Sequence, residues 1–152
     1  MDALDHLDPA ARAGLAEHVS RLKHDLGKYV AFQIRWLPPD ASLEDRRGAL
    51  AADLLCTRRG PDGEQDATSL WRAFRAGLVG EQELGPGVRV DLSDDAAVRR
   101  IDAAMTEIDA VSALLRAGEA DEGAVDRGMD AALRVAEAAR DLFTRVRRSR
   151  GG

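Results

Sequence analysis

An all-α fold, an antiparallel bundle of about five helices, is what three features of the chain predict. Aromatic residues make up only 4% of it, so the core must be built mainly from Leu, Val, Ile and Ala. Of these, Ala and Leu are strong helix formers, while the residues that favour strands are sparse. In the C-terminal part, apolar residues recur at alternating three- and four-residue spacing, the pattern of helices packed at a shallow angle. Helix start and stop signals also punctuate the chain at intervals suited to helices. With 45% hydrophobic and 32% charged residues, the 152 residues have the balance of one globular domain covering 1–152.

The first helix is expected from Pro9 to Leu37, with Asp8 as its N-cap, Pro9 at its first position and Pro38-Pro39 as its stop. As one regular α-helix it would be about 40 Å long. A second helix opens at Ser42-Leu-Glu-Asp45, a capping-box-like start, and carries Leu50, Leu54 and Leu55 toward Arg58. Gly60-Pro61-Asp62-Gly63 reads as a turn. A third helix is expected from Asp66 to Val79, with Leu70, Trp71, Phe74 and Leu78 at helical spacing. Val88–Leu92 has extended character but no second strand to pair with. Ser93 is then expected to cap a fourth helix carrying Val98, Ile101, Met105, Ile108 and Leu115. After a break near Gly118, a fifth helix carries Val125, Met129, Ala132, Ala136, Ala139, Phe143 and Val146. The short link makes these two a helical hairpin, along which the first helix should lie. A flexible basic tail is expected from about residue 147, formed by Arg147, Arg148 and Arg150 beyond Arg145.

Composition narrows the function classes. Net charge is −5, and no basic stripe runs along the body, which argues against nucleic-acid binding. No segment approaches the length of a membrane span, and the acidic start Met1–Asp8 is unlike a signal peptide, so a cytoplasmic location and no membrane insertion are expected. Cys56 is the single cysteine, expected as a buried structural thiol on the second helix. There is no Gly-rich phosphate loop, no cofactor and no bound metal are expected, and no nucleophile–base triad can be argued.

The chemistry concentrates on the first helix. On a wheel advancing about 100° per residue, Leu15, Val19, Leu22, Leu26, Tyr29, Val30 and Leu37 form the core stripe. Gln33 falls inside that stripe as a polar exception needing a partner. His24 falls opposite, facing solvent, beside Glu17, Arg21, Lys28 and Arg35 and flanked by the small Gly27 and Ala31. A solvated surface histidine is the plain reading. Against it stand Gly27, which weakens a helix by about 1 kcal/mol relative to Ala, and the adjacent acid Asp25. Lys23 and Lys28, the only lysines of the chain, also lie within four residues of His24. A histidine that carries a phosphoryl group needs these features: a projecting ring, a carboxylate to orient it, and cations to offset phosphate charge.

Val19-Ser-Arg-Leu-Lys-His-Asp-Leu-Gly-Lys-Tyr-Val-Ala-Phe-Gln-Ile-Arg35 resembles the phosphoacceptor helix of sensor histidine kinases, and more loosely that of histidine phosphotransfer bundles. The resemblance implies His24 as phosphoacceptor, Asp25 as the assisting acid and Lys28 as a helping cation, with Glu17, Arg21, Gly27 and Arg35 on the face that meets a partner. The partner implied is a response-regulator receiver domain or a kinase; a homodimer is a further possibility. Gly27, Lys28 and Tyr29 depart from the kinase motif, and with no ATP-binding lobe among these 152 residues self-phosphorylation is not expected. At most the chain would carry a phosphoryl group rather than act as an enzyme. The alternative is a non-enzymatic adaptor that binds a signalling partner without His24 chemistry. His24-Asp-Leu-Gly-Lys28 also resembles the core of HD-type metal phosphohydrolases, which would need His6 or His18 upstream and Asp91, Asp94 or Asp95 downstream as further ligands.

Overall fold

The computed structural model describes residues 3–58 and 63–149. Within them lie five α-helices and no strand: α1 (Pro9–Leu22), α2 (Leu43–Leu55), α3 (Ala67–Leu78), α4 (Ala96–Ala117) and α5 (Glu122–Ser149). The expected all-α bundle is the fold. Gly60–Asp62 of the expected turn, and Arg150 of the expected tail, lie outside the described residues.

Asp8 caps α1 by accepting a hydrogen bond from the Ala11 amide at 2.8 Å, and Pro9 takes the first position. Ala11, Leu15, Val19 and Leu22 form its buried stripe. Regular α-helix ends there, not at Leu37. The chain widens into a π-helical turn, Lys23–Lys28, and continues through short 3-10 turns at Tyr29–Ala31 and Ile34–Trp36. A π turn inserts one extra residue into the helical register. Past it the buried positions are Val30, Ala31 and Ile34, each one residue later than the wheel's Tyr29, Val30 and Gln33. Gln33 is therefore exposed, and its expected place in the core stripe is corrected by the inserted residue.

Two hydrogen bonds from α2 hold this irregular segment. The Asp53 carboxylate accepts from the Gln33 amide at 2.8 Å and from the Ile34 amide at 2.9 Å. These donors lie where the helical ladder is broken, and a buried amide needs an acceptor. Asp53 is itself 2% exposed. Burial pushes its carboxyl up to about 6, against the opposing pull of the two amides and Arg35.

Ser42 caps α2 as expected, its hydroxyl accepting from the Asp45 amide at 3.0 Å. Cys56 follows the last turn of α2, only half buried, and its thiol donates to Glu64 at 3.2 Å. The expected fully buried thiol on the helix is thus corrected: α2 stops one residue earlier. Asp66 caps α3, and Trp71 and Arg75 both donate to Asp102 of α4, at 2.8 and 3.0 Å. The Val88–Leu92 stretch contributes Val90 and Leu92 to the core, with the Leu92 amide bonded to the Leu78 carbonyl at 2.7 Å.

Asp95, not Ser93, caps α4, accepting from the Ala97 amide at 2.9 Å. The same carboxylate receives Arg145 of α5 at 2.7 Å on both oxygens, so it closes the far end of the hairpin as well. That bond, and the Arg147 guanidinium 5.5 Å from the Phe143 ring centroid, belong to a helix that runs to Ser149. The expected flexible tail from residue 147 is accordingly helical as far as Ser149. α4 and α5 form the expected hairpin around Gly118 (φ 71°), and α5 also packs against α1, the π turn and α2. One core joins Leu15, Leu22 and Leu26 to Leu50, Trp71, Ile101 and Leu142.

Candidate functional site

His24 projects from the π turn with 62% of its side chain exposed, the direction expected from the sequence. Its Nδ1–H donates to Asp25 at 2.9 Å, and the other Asp25 oxygen meets the Arg58 guanidinium at 3.4 Å. Asp25 is only 17% exposed, so the carboxylate is a fixed support for the ring. In a neutral imidazole, a proton held on Nδ1 leaves Nε2 as the lone pair. That nitrogen has no hydrogen-bond partner among the described residues. The Tyr29 ring meets the imidazole edge-on, with centroids 5.7 Å apart, and limits its rotation.

Two cavities flank this histidine. On one side, a cavity of about 320 Å³ opens between the π turn and α5, lined by Ser20, Lys23, His24, Gly27, Lys28, Arg35, Ala136, Arg140 and Phe143. It carries four permanent cations and no carboxylate. On the other side, a cavity of about 590 Å³ is lined by Asp25, Asp53, Cys56, Thr57 and Arg58 together with Tyr29, Phe32 and Gln33. The acids of the region thus fall on one side of His24 and most of its cations on the other.

Gly27 explains how α5 comes so near. A Cβ at this position would stand 3.0 Å from the Cβ of Ala139, tighter than ordinary van der Waals contact. Gly27 and Ala31 are both buried against the rest of the molecule, so their small size serves internal packing. Gly27 also lines the smaller cavity beside His24.

The remaining expected site residues divide. Lys28 and Arg35 reach the smaller cavity, where the Lys28 ammonium lies 5.3 Å from the Tyr29 ring centroid. Glu17 and Arg21 lie about a turn earlier, pair with each other in solvent, and stand apart from that cavity. Arg58, Arg140, Phe143 and Asp53 were not singled out from the sequence. Arg140 and Phe143 carry a legible signal, since they follow Ala136 and Ala139 at helical spacing on a face that Ala leaves low. Asp53 and Arg58 had none, because only the tertiary fold carries α2 to the π turn.

The other histidines are elsewhere. His18 faces α3, its Nε2–H donating to the Phe74 carbonyl at 2.8 Å. Burial holds its pKa below the usual imidazole range. His6 lies in the short turn before α1, Asp91 accepts from Ser93, and Asp95 is committed to the α4 cap. Among the described residues, no three His, Cys, Asp or Glu side chains come together as a group that could hold a metal ion. None of the described helices is long and apolar enough to cross a membrane. No family model, curated protein or solved structure matches the chain, and the functional reading therefore rests on this geometry.

Proposed function

We propose that this bundle is a phosphoryl carrier, with His24 as the phosphoacceptor and a receiver domain or kinase of a signalling pathway as its donor or recipient. One observation supports this reading above others: the Arg58–Asp25–His24 chain, in which Asp25 takes the proton-bearing Nδ1 and leaves Nε2 as the lone pair of a ring that is 62% exposed. In the transfer step the Nε2 lone pair attacks phosphorus of an acyl phosphate. The P–O bond to the acyl group breaks, and the carboxylate leaves with its electron pair. The imidazole becomes cationic, and Asp25, hydrogen-bonded to Nδ1–H, offsets that charge. Lys23 and Lys28 line the cavity beside His24 and would supply cations for the incoming phosphoryl oxygens.

Incubation with acetyl phosphate, or with a phosphorylated receiver domain, is expected to give one acid-labile phosphate per chain. His24→Ala should abolish it, and Asp25→Asn should slow its formation by about tenfold or more. Equal labelling of wild type and His24→Ala would exclude the proposal.

A second reading, the non-enzymatic adaptor, has its own support in Trp36, which is 77% exposed, and in the nearby Phe32. Exposed aromatics of this kind favour a protein contact. The adaptor reading predicts partner capture that is lost in Trp36→Ala and indifferent to His24→Ala. The phosphoryl-carrier reading predicts that transfer fails in the second variant even where capture persists.

A further inference from the structure

We infer that the cavity between the π turn and α5 is a binding site for a small phosphate ester. Its phosphate is held by Lys23, Lys28, Arg35 and Arg140, and its apolar part rests on Phe143 and Ala136. This goes beyond phosphoryl transfer, because it concerns reversible binding and engages α5.

The argument begins with charge. The chain is acidic overall, with 27 Asp and Glu against 22 Lys and Arg. At least nine arginines meet a carboxylate: Arg21, Arg46, Arg58, Arg75, Arg89, Arg100, Arg116, Arg134 and Arg145. The four cavity cations do not. Among the described residues, none of them has a carboxylate within ion-pair distance. Glu137 and Asp141, the acids nearest Arg140 in sequence, are both taken by Arg100 of α4. Asp25 turns to Arg58, and Asp53, in the neighbouring cavity, accepts the Gln33 and Ile34 amides and acts on Arg35 only beyond ion-pair distance. Four like charges in one concavity repel one another, and an acidic protein has ample carboxylates with which to quench them. The arrangement is stabilised when a multiply charged anion enters.

Shape and lining then select the anion. A volume of about 320 Å³ lies at the small end of the range for small-molecule sites and exceeds what a bare phosphate fills. The floor is apolar: Phe143 is half buried beneath Lys23, whose ammonium stands 4.3 Å from the ring centroid. Guanidinium forks with point-charge ammoniums suit phosphate oxygens, and the ring suits an organic body.

Calorimetric titration of the intact chain at low salt with phenyl phosphate, inorganic phosphate and phenol tests the proposal. Phenyl phosphate should bind one to one and more tightly than inorganic phosphate, and phenol should not bind. The double variant Lys28→Gln/Arg140→Gln should weaken phenyl phosphate by about tenfold or more, while Arg21→Gln, an equally exposed cation outside the cavity, should change it by less than about twofold. Circular dichroism confirms that the variants fold. Phenyl phosphate is not an acyl phosphate, so this titration proceeds whether or not His24 accepts a phosphoryl group, and the two readings fail separately. Sedimentation with phosphatidylcholine vesicles, with and without phosphatidic acid, assigns the source of the ester. Phosphatidic-acid-dependent pelleting that phenyl phosphate competes away identifies a lipid headgroup, and its absence identifies a soluble ester. No saturable binding of phenyl phosphate, or an equal loss in Arg21→Gln, overturns the inference.

Discussion

Asp53 shows how one side chain from another helix can hold the candidate site in place. Its carboxylate is buried, accepts two amides across from α2, and has a pKa raised by burial to about 6. The unfolded group ionises near 3.8. Between these two values the folded state binds more protons than the unfolded one, so the contribution of this group to stability is fully present below pH 3.8. It is lost as pH rises through about 6. Urea denaturation of wild type and Asp53→Asn should therefore show a stability difference that drifts by roughly 2 to 3 kcal/mol between pH 4 and pH 7. A difference independent of pH would contradict the assignment. At this scale the sequence was informative about His24, whose exposure follows from Leu15, Val19 and Leu22 lying on the other face. It was silent on Arg58 and Asp53, which reach the site from 33 to 34 and 28 to 29 positions away in the chain only after α2 packs.

The π turn is the element on which the site depends, and it was hidden from periodicity. A wheel with fixed spacing carries no term for an inserted residue, so Tyr29, Val30 and Gln33 were read where Val30, Ala31 and Ile34 are buried. Gly27 was the visible clue: a Cβ there would meet the Ala139 Cβ of α5 at 3.0 Å. Gly27→Val is expected to destabilise the fold by about 1–3 kcal/mol through overpacking against α5. Pairing it with Ala139→Gly should restore part of that loss, as judged by chemical denaturation. A single-variant loss below about 0.5 kcal/mol, typical of an unconstrained surface position, would show that the contact is not tight. Capping residues were more legible. Asp8 and Ser42 do what their positions predict, because an N-cap is a local device. Ser93 lost its role to Asp95, whose carboxylate also gains Arg145 from the far end of α5, a partner that no local rule contains.

Across the whole molecule, α5 is the central member, and this exceeds what its sequence pattern announced. The expected stripe from Val125 to Val146 is present, but Ala124, Ala131, Val135, Ala138 and Leu142 bury a second face. Alanine is at home both inside and outside, so a helix rich in it conceals how many neighbours it has. Leu142→Ala is expected to cost about 2–5 kcal/mol as a cavity-forming change in the core, whereas Leu133→Ala, 43% exposed on the same helix, should stay within about 0.5 kcal/mol. Similar losses for the two would refute the two-faced packing of α5. The bundle class and the hairpin were readable because they depend on repeated spacing. The basic cavity was not, because its residues come from the π turn, the segment after it and α5. Phosphorus NMR of the chain after incubation with acetyl phosphate addresses the central claim most directly. The account predicts a resonance from an N–P bond that vanishes on acidification and is absent from His24→Ala; no such resonance, or one that survives the substitution, would contradict it.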